Sequence, residues 1–362
     1  MSAESSSRIA RLLSPLLPSP VLEFWAGRLN PLLSLERVRA EVVERRVEAR
    51  ETVTLLLQPN RLFKGFRPGQ HVNVTVEVNG ARLTRSYSLS DIPRADGRLA
   101  ITVCQEEGGK VSTQLCQHTR PGDILELGQA FGEMTLPAHP AGDYLLLAAG
   151  SGITPVMSLT RALLDGDAPV TVTLAYWAQT RADLCFLNEL QALAGRDRRF
   201  RLLTILTREP VLLKGELNGR LSTEFLAAQL PTLATQQVMA CGPFGFADSA
   251  RQLLQGRVRS FTAEAFTLPE NPAADTERAV TVTLTRSART VTLSSAQTLL
   301  DGLEAQGIRP ESGCRMGICH TCSCRQQSGS SRNRLTGEMQ DEAGSQVRLC
   351  ISRPQTDLTL DL

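Results

Sequence analysis

Lysine is nearly missing from the 362 residues: only Lys64, Lys110 and Lys214 stand among 39 basic side chains. The remainder is arginine, which we read as the mark of a high-GC genome. Net charge is also small, at +2, so no global field calls for nucleic acid or an anionic membrane. Long apolar runs are absent. The best stretch, 12–22, is 11 residues and is broken by Pro15, Pro18 and Pro20, whereas a membrane span needs about 20. It has no A-x-A site, so a secretory leader is not expected and the chain reads as cytoplasmic. Histidine occurs four times, with no Glu-x-x-His or His-x-x-x-His. An oxygen-activating diiron or 2-His-1-carboxylate site is therefore not expected, and any oxygen chemistry belongs to another protein.

What remains is ordinary globular material, 42% hydrophobic and 21% charged, long enough for two or three domains. Residues 1–36 read as an extension with short helices at 8–17 and 21–33. These either pack on the body or lie peripherally on a membrane face; the prolines favour packing. Residues 37–138 alternate as strands at 38–47, 52–58, 71–78, 84–90, 99–105 and 124–127, with a helix at 112–117, which suggests an antiparallel barrel. Residues 139–268 change to strand–helix alternation. Strands at 144–149, 170–177, 200–207 and 237–241 and helices at 155–164, 182–193, 222–228 and 247–254 imply a parallel sheet. Pro269–Asp275 has linker composition, so 269–279 is taken as a linker. Residues 280–362 open with a hairpin (280–284, 290–293) and a helix (298–306). The fold class is thus multidomain: barrel, α/β domain and a small α+β domain.

Nine cysteines are present, five of them in the last fifty residues. Cys314-x4-Cys319-x2-Cys322, then 27 residues, then Cys350, is the plant-type [2Fe–2S] spacing. Three thiolates from one tight loop and a fourth from afar suit two irons. Structural zinc also takes four cysteines, but zinc ribbons pair two Cys-x2-Cys knuckles and the second is missing here. Cys324 is the spare.

Two other loops suggest phosphate sites. Strand 144–149 runs into Gly150-Ser151-Gly152-Ile153-Thr154-Pro155, where a glycine turn and a helix start present N–H groups and Pro155 suits the first helical position. Gly108-Gly109-Lys110-Val111-Ser112-Thr113 also leads into a helix. On the barrel, Arg85-Ser86-Tyr87-Ser88 offers a cation, hydroxyls and a stacking ring. Cys241-Gly242-Pro243 follows a buried strand, at the sheet end where α/β folds bind ligands. Each alone is compatible with a plain turn, strand or cap.

In this order the motifs resemble the ferredoxin–NADP reductase superfamily across 37–268, and 280–362 resembles plant-type ferredoxins. The resemblance implies a barrel for FAD, an NAD(P) domain and a β-grasp ferredoxin domain. It implies that Arg85 binds the flavin phosphates, that Ser86 meets the flavin, that Tyr87 packs against the isoalloxazine or the ribityl chain, and that Ser88 sits near the reactive nitrogen. Gly109, Lys110, Val111, Ser112 and Thr113 would form the diphosphate loop. Gly150, Gly152, Ile153, Thr154 and Pro155 would form the nicotinamide-nucleotide loop, with Gly242 and Pro243 beside it and Cys241 approaching the nicotinamide. Glu264 and Phe266 would close over the flavin, although Phe266 is equally readable as a core aromatic. The whole chain, with its proline-broken start, looks most like bacterial reductases serving membrane fatty-acyl desaturases. The reductase component of a soluble or ring-hydroxylating oxygenase uses the same modules, and a zinc-bearing flavin regulator without electron output is a reading of another class. Arg181 and Arg208 are candidate ligands for a 2′-phosphate, which favours NADPH, while Asp183 leaves NADH open. One departure stands out: plant-type ferredoxins are usually acidic, but 280–362 holds nine arginines against eight acids. A tethered domain has less need of charge steering.

Overall fold

The structure is a computed structural model, and it describes residues 23, 25, 27–230, 232–269 and 277–362. The helix expected at 8–17, residues 21, 22, 24 and 26 of the one expected at 21–33, and most of the expected linker fall outside them.

Alternating β-branched residues and tight glycine turns give six antiparallel strands: β1 (Val38–Ala49), β2 (Thr52–Pro59), β3 (His71–Val78), β4 (Ala81–Ser88), β5 (Leu99–Cys104) and β6 (Ile124–Leu127). Their order is β4-β3-β6-β1-β2-β5, and a Leu89–Ile101 bridge joins the two ends into a barrel. Inward residues such as Leu55, Leu57, Val72, Val74 and Ile101 are fully buried. The helix expected at 112–117 is instead a short α1 (Lys110–Thr113) that runs into one π-helical turn, Gln114–His118.

The second sheet is parallel throughout: β7 (Gly142–Ala149), β8 (Val170–Ala178), β9 (Phe200–Leu206), β10 (Glu216–Leu217), β11 (Gln237–Gly242) and β12 (Ser260–Ala265), ordered β10-β9-β8-β7-β11-β12. Runs such as Leu145-Leu146-Leu147 are buried on both faces because helices cover both. These helices include α2 (Ile153–Leu164), α3 (Leu187–Arg196), α4 (Thr223–Gln229) and α5 (Phe244–Leu254). Helix α3 starts five residues later than its periodicity suggests. Thr180 and Asp183 cap a separate 3-10 turn, and Phe186 takes a left-handed φ of 58° before the helix begins.

The third unit has hairpin β13 (Ala279–Leu284)/β14 (Arg289–Ser294), helix α6 (Leu299–Ala305), and strands β15 (Ser323–Ser328), β16 (Ser331–Asn333), β17 (Met339–Gln340), β18 (Gln346–Arg348), β19 (Ser352–Pro354) and β20 (Leu358–Leu360). The main sheet is β14-β13-β20-β15-β18, with β13 and β20 parallel, and α6 packs on it through Leu299, Leu300 and Leu303. Thr298 caps α6 by accepting from the Asp301 N–H.

Candidate flavin and cluster site

One cavity of about 730 Å3 is walled by all three units. The barrel supplies Arg85, Ser86, Tyr87 and Ser88 from β4 and Gly109, Lys110, Val111 and Ser112 from the turn into α1. The parallel-sheet unit supplies Ser151, Thr154 and Phe266, and the cysteine loop supplies Cys314, Arg315, Met316 and Ile318. The volume and the mixed lining of ring, hydroxyl, cation and helix N-terminus fit a flavin nucleotide.

The local chemistry follows from neighbours. Arg85 is half-buried and donates to the Thr84 carbonyl at 2.8 Å. Burial, and then the charge of Arg315, pulls its pKa below the usual guanidinium value. Ser86 donates to Asn73 Oδ1. Burial pushes the Tyr87 phenol up, so the ring presents a neutral face. Ser112 Oγ accepts from the Glu106 N–H at 3.1 Å and pins the turn from the inside.

Ser88 carries the most specific arrangement. His71 Nδ1 is 3.0 Å from Ser88 Oγ, and His71 Nε2 is 2.8 Å from Glu264 Oε2. His71 is buried, with Phe131 and Phe266 rings about 6 Å from its own (5.8 and 6.0 Å). A hydroxyl at the cavity wall is therefore linked through an imidazole to a carboxylate on β12, a path that can hold or move a proton at Ser88 Oγ. Sequence reasoning missed His71. Its partners lie 17 and 193 residues away, and nothing local in Gly69-Gln70-His71-Val72 marks it.

Several expected residues sit elsewhere. Cys241 is fully buried and off the cavity wall, and burial, with Glu264 beside it in register, keeps its thiol protonated. Its carbonyl lies where a Cβ on Gly152 would be, 2.1 Å away. Gly152 is thus needed for the 150–155 loop to cross β11, and it is buried while Gly150 and Ser151 are exposed. Ile153 and Pro155 are buried in α2 and serve its packing, and Thr113 lies outside the lining. Gly242 presses against Ala149 and Phe246, and Pro243 caps α5.

The two candidate phosphate arginines separate clearly. Arg181 is committed: its Nε and Nη2 grip Glu216 at 2.7 and 2.6 Å, and its Nη1 reaches Glu209. These contacts brace the loop that carries Glu209 and Glu216. Arg208 lines a separate hollow of about 300 Å3 with Gln179, Thr207, Asn218, Gly219 and Arg220, which among the described residues holds two cations and no acid. Arg220 was not foreseen.

In the cysteine loop, the backbone N–H groups of Met316, Ile318 and Cys319 point at Cys314 Sγ at 3.2–3.3 Å, and the Cys314 N–H points at Cys319 Sγ at 3.2 Å. Contact with Cys319, Cys350 and these donors holds Cys314 far below an ordinary thiol, and Cys350 brings Cys322 to about 7. Among the described residues no three ligating side chains surround one point. The thiols form a chain, Cys319–Cys314–Cys350–Cys322. Two thiolates per iron in a two-iron cluster ask for that kind of spread. Arg348 donates to the Gly317 carbonyl and fastens the loop to β18. Cys324 points away, with its sulfur toward the carbonyls of Arg325 and Asp361.

Residues 39–135 match the model of the oxidoreductase FAD-binding domain, 146–252 that of the oxidoreductase NAD-binding domain, and 282–355 that of the 2Fe-2S iron-sulfur cluster binding domain. An NADPH oxidoreductase of Mycobacterium tuberculosis is 33% identical over 357 residues, covering 98% of this chain and 90% of the relative. The ferredoxin reductase component of a 3-ketosteroid-9-alpha-monooxygenase from the same species is 31% identical, covering 89% and 94%. Among solved structures, phthalate dioxygenase reductase superposes with a TM-score of 0.62 at 25% identity, covering 90% of this chain and 98% of the other. The three domains thus assign the chain FAD, NAD(P)H and a [2Fe–2S] cluster as cofactors. The chain belongs to the family of NAD(P)H-dependent ferredoxin-reductase-type flavoproteins that carry a C-terminal [2Fe–2S] domain.

Proposed function

We propose that this reductase passes electrons from NADPH, through FAD and the [2Fe–2S] cluster, to a membrane acyl desaturase. The observation that carries the electron path is the single cavity walled by β4, the nucleotide loop and the cluster loop. When bound, FAD supplies the conversion between a two-electron hydride and single electrons. The protein positions the partners: Arg85, Lys110 and Ser112 hold phosphate, Tyr87 backs the ring, and Ser88, His71 and Glu264 manage a proton. Anaerobic titration with NADPH should bleach flavin and cluster absorbance together; bleaching of flavin alone would break the path.

The choice of NADPH is supported by Arg208 and Arg220 in one acid-free hollow at the end of the parallel sheet. Arg208→Ala should lower kcat/KM for NADPH about tenfold to a hundredfold and leave NADH within about threefold. Equal losses on both would remove the assignment.

Support for a membrane partner is the whole-chain resemblance together with exposed apolar side chains ahead of β1: Trp25 (60%), Leu29 (83%), Leu33 and Leu35. Among the described residues no helix is long and apolar enough to cross a membrane, so contact would be peripheral. The names of the relatives favour a second reading, an oxygenase as acceptor. Pull-down in mild detergent followed by a desaturation assay separates the two. Recovery of an oxygenase with no desaturase would overturn the first.

A further inference from the structure

The cluster loop does more than face the flavin cavity. Arg315, the residue after the first cluster ligand, lines that cavity with Arg85, although the two belong to different units. Arg315 adopts a left-handed φ of 58°, rare for a residue with a long side chain. Its Nη2 is held by Glu304 and its Nη1 lies 3.6 Å from Asp301, both on α6. Its Nε is buried with no hydrogen-bond partner among the described residues. A buried N–H left unmade is costly, and it marks a place where an acceptor belongs. On the barrel side Arg85 and Lys110 line the same space, and Glu106 and Glu107 stand at the turn into α1. The charge of Arg315 still acts on Arg85, and an anion between the two would relieve that repulsion. The cluster loop is also in close contact with the barrel here, since a Cβ on Gly313 would fall 2.9 Å from Asn73 Nδ2.

We propose that Arg315 is a flavin-binding residue contributed by the ferredoxin-type domain: with Arg85 it binds the phosphates of FAD, and the bound flavin thereby fastens that domain to the barrel. Reciprocity follows from linkage: whatever strengthens flavin binding through Arg315 strengthens domain docking by the same factor. The inference rests on FAD filling the cavity.

The test uses the full chain with its cluster in place and its flavin removed. FAD and riboflavin, which lacks phosphate, are titrated by flavin fluorescence. Arg315→Gln should raise the Kd for FAD about tenfold and leave riboflavin within twofold, and Arg315→Lys should recover part of the loss. FAD should slow proteolysis after Arg278 in the native protein at least fivefold, and should not in Arg315→Gln. Unchanged FAD affinity with intact cluster absorbance would overturn the proposal. So would equal losses for FAD and riboflavin, which would mean a loosened domain and not a lost phosphate contact. Glu304→Gln, outside the cluster loop, gives an independent arm should Arg315→Gln fail to hold its cluster. Removing the carboxylate that competes for Arg315 should tighten FAD about threefold, and a weakening would overturn the proposal. Failure of the native protein to bind FAD at all would instead remove the reading of the cavity, and this inference with it.

Discussion

Cys314 and Cys241 are both buried thiols beside a glycine, and their surroundings drive them in opposite directions. Cys314 receives three backbone N–H groups and the contact of Cys319 and Cys350, which favour its thiolate. Cys241 meets apolar packing and a carboxylate, which favour its thiol. Cys116, Cys185 and Cys324 follow Cys241, with burial pushing them up to about 11, 12 and 11. Burial alone thus makes a cysteine inert, and a loop whose amides turn inward makes it a ligand.

The sharpest way to break this contrast is Cys350→Ser. It should remove all cluster absorbance while FAD stays bound, and a surviving native spectrum would refute the ligand set. Next is the pH dependence of stability. Below about pH 9 the raised thiols are protonated in both folded and unfolded chains, so their contribution to stability does not change. Above it the unfolded thiols ionise first and stability falls. For Cys185 alone the fall is roughly 2 kcal/mol between pH 9 and 11. Urea midpoints should show that slope, and Cys185→Ala should reduce it. The smallest effect belongs to Cys324→Ser, expected to keep the cluster and cost about 1 kcal/mol, since a hydroxyl there can donate to the carbonyls that the sulfur now faces. Loss of the cluster in this variant but not in Cys350→Ser would reverse the assignment.

What was readable in the sequence was what is short-range. The Cys-x4-Cys-x2-Cys loop, the Gly150-Ser151-Gly152 turn and Arg85-Ser86-Tyr87-Ser88 each carry their geometry within a few residues, and strand alternation gave the barrel and the parallel sheet. Three features stayed hidden because their partners are remote. His71 needs Glu264, Arg181 is spent on Glu209 and Glu216, and Arg315 meets Arg85 only after the third unit docks. In a chain this rich in arginine, no local signal separates a bracing guanidinium from a binding one.

The segment after β12 sets a mechanical limit. Phe266 walls the cavity, and its N–H is bonded to the Gly242 carbonyl on β11. Two residues later Leu268 packs into the core of the ferredoxin-type domain, and the Pro269 carbonyl accepts from Arg334. Two residues of fully stretched chain span about 7 Å. An excursion of that domain beyond this slack must release either the Phe266 bond or the Leu268 anchor. The leash on the one-electron carrier and the wall of the two-electron chamber are thus one piece of polypeptide, and stretching the first strains the second.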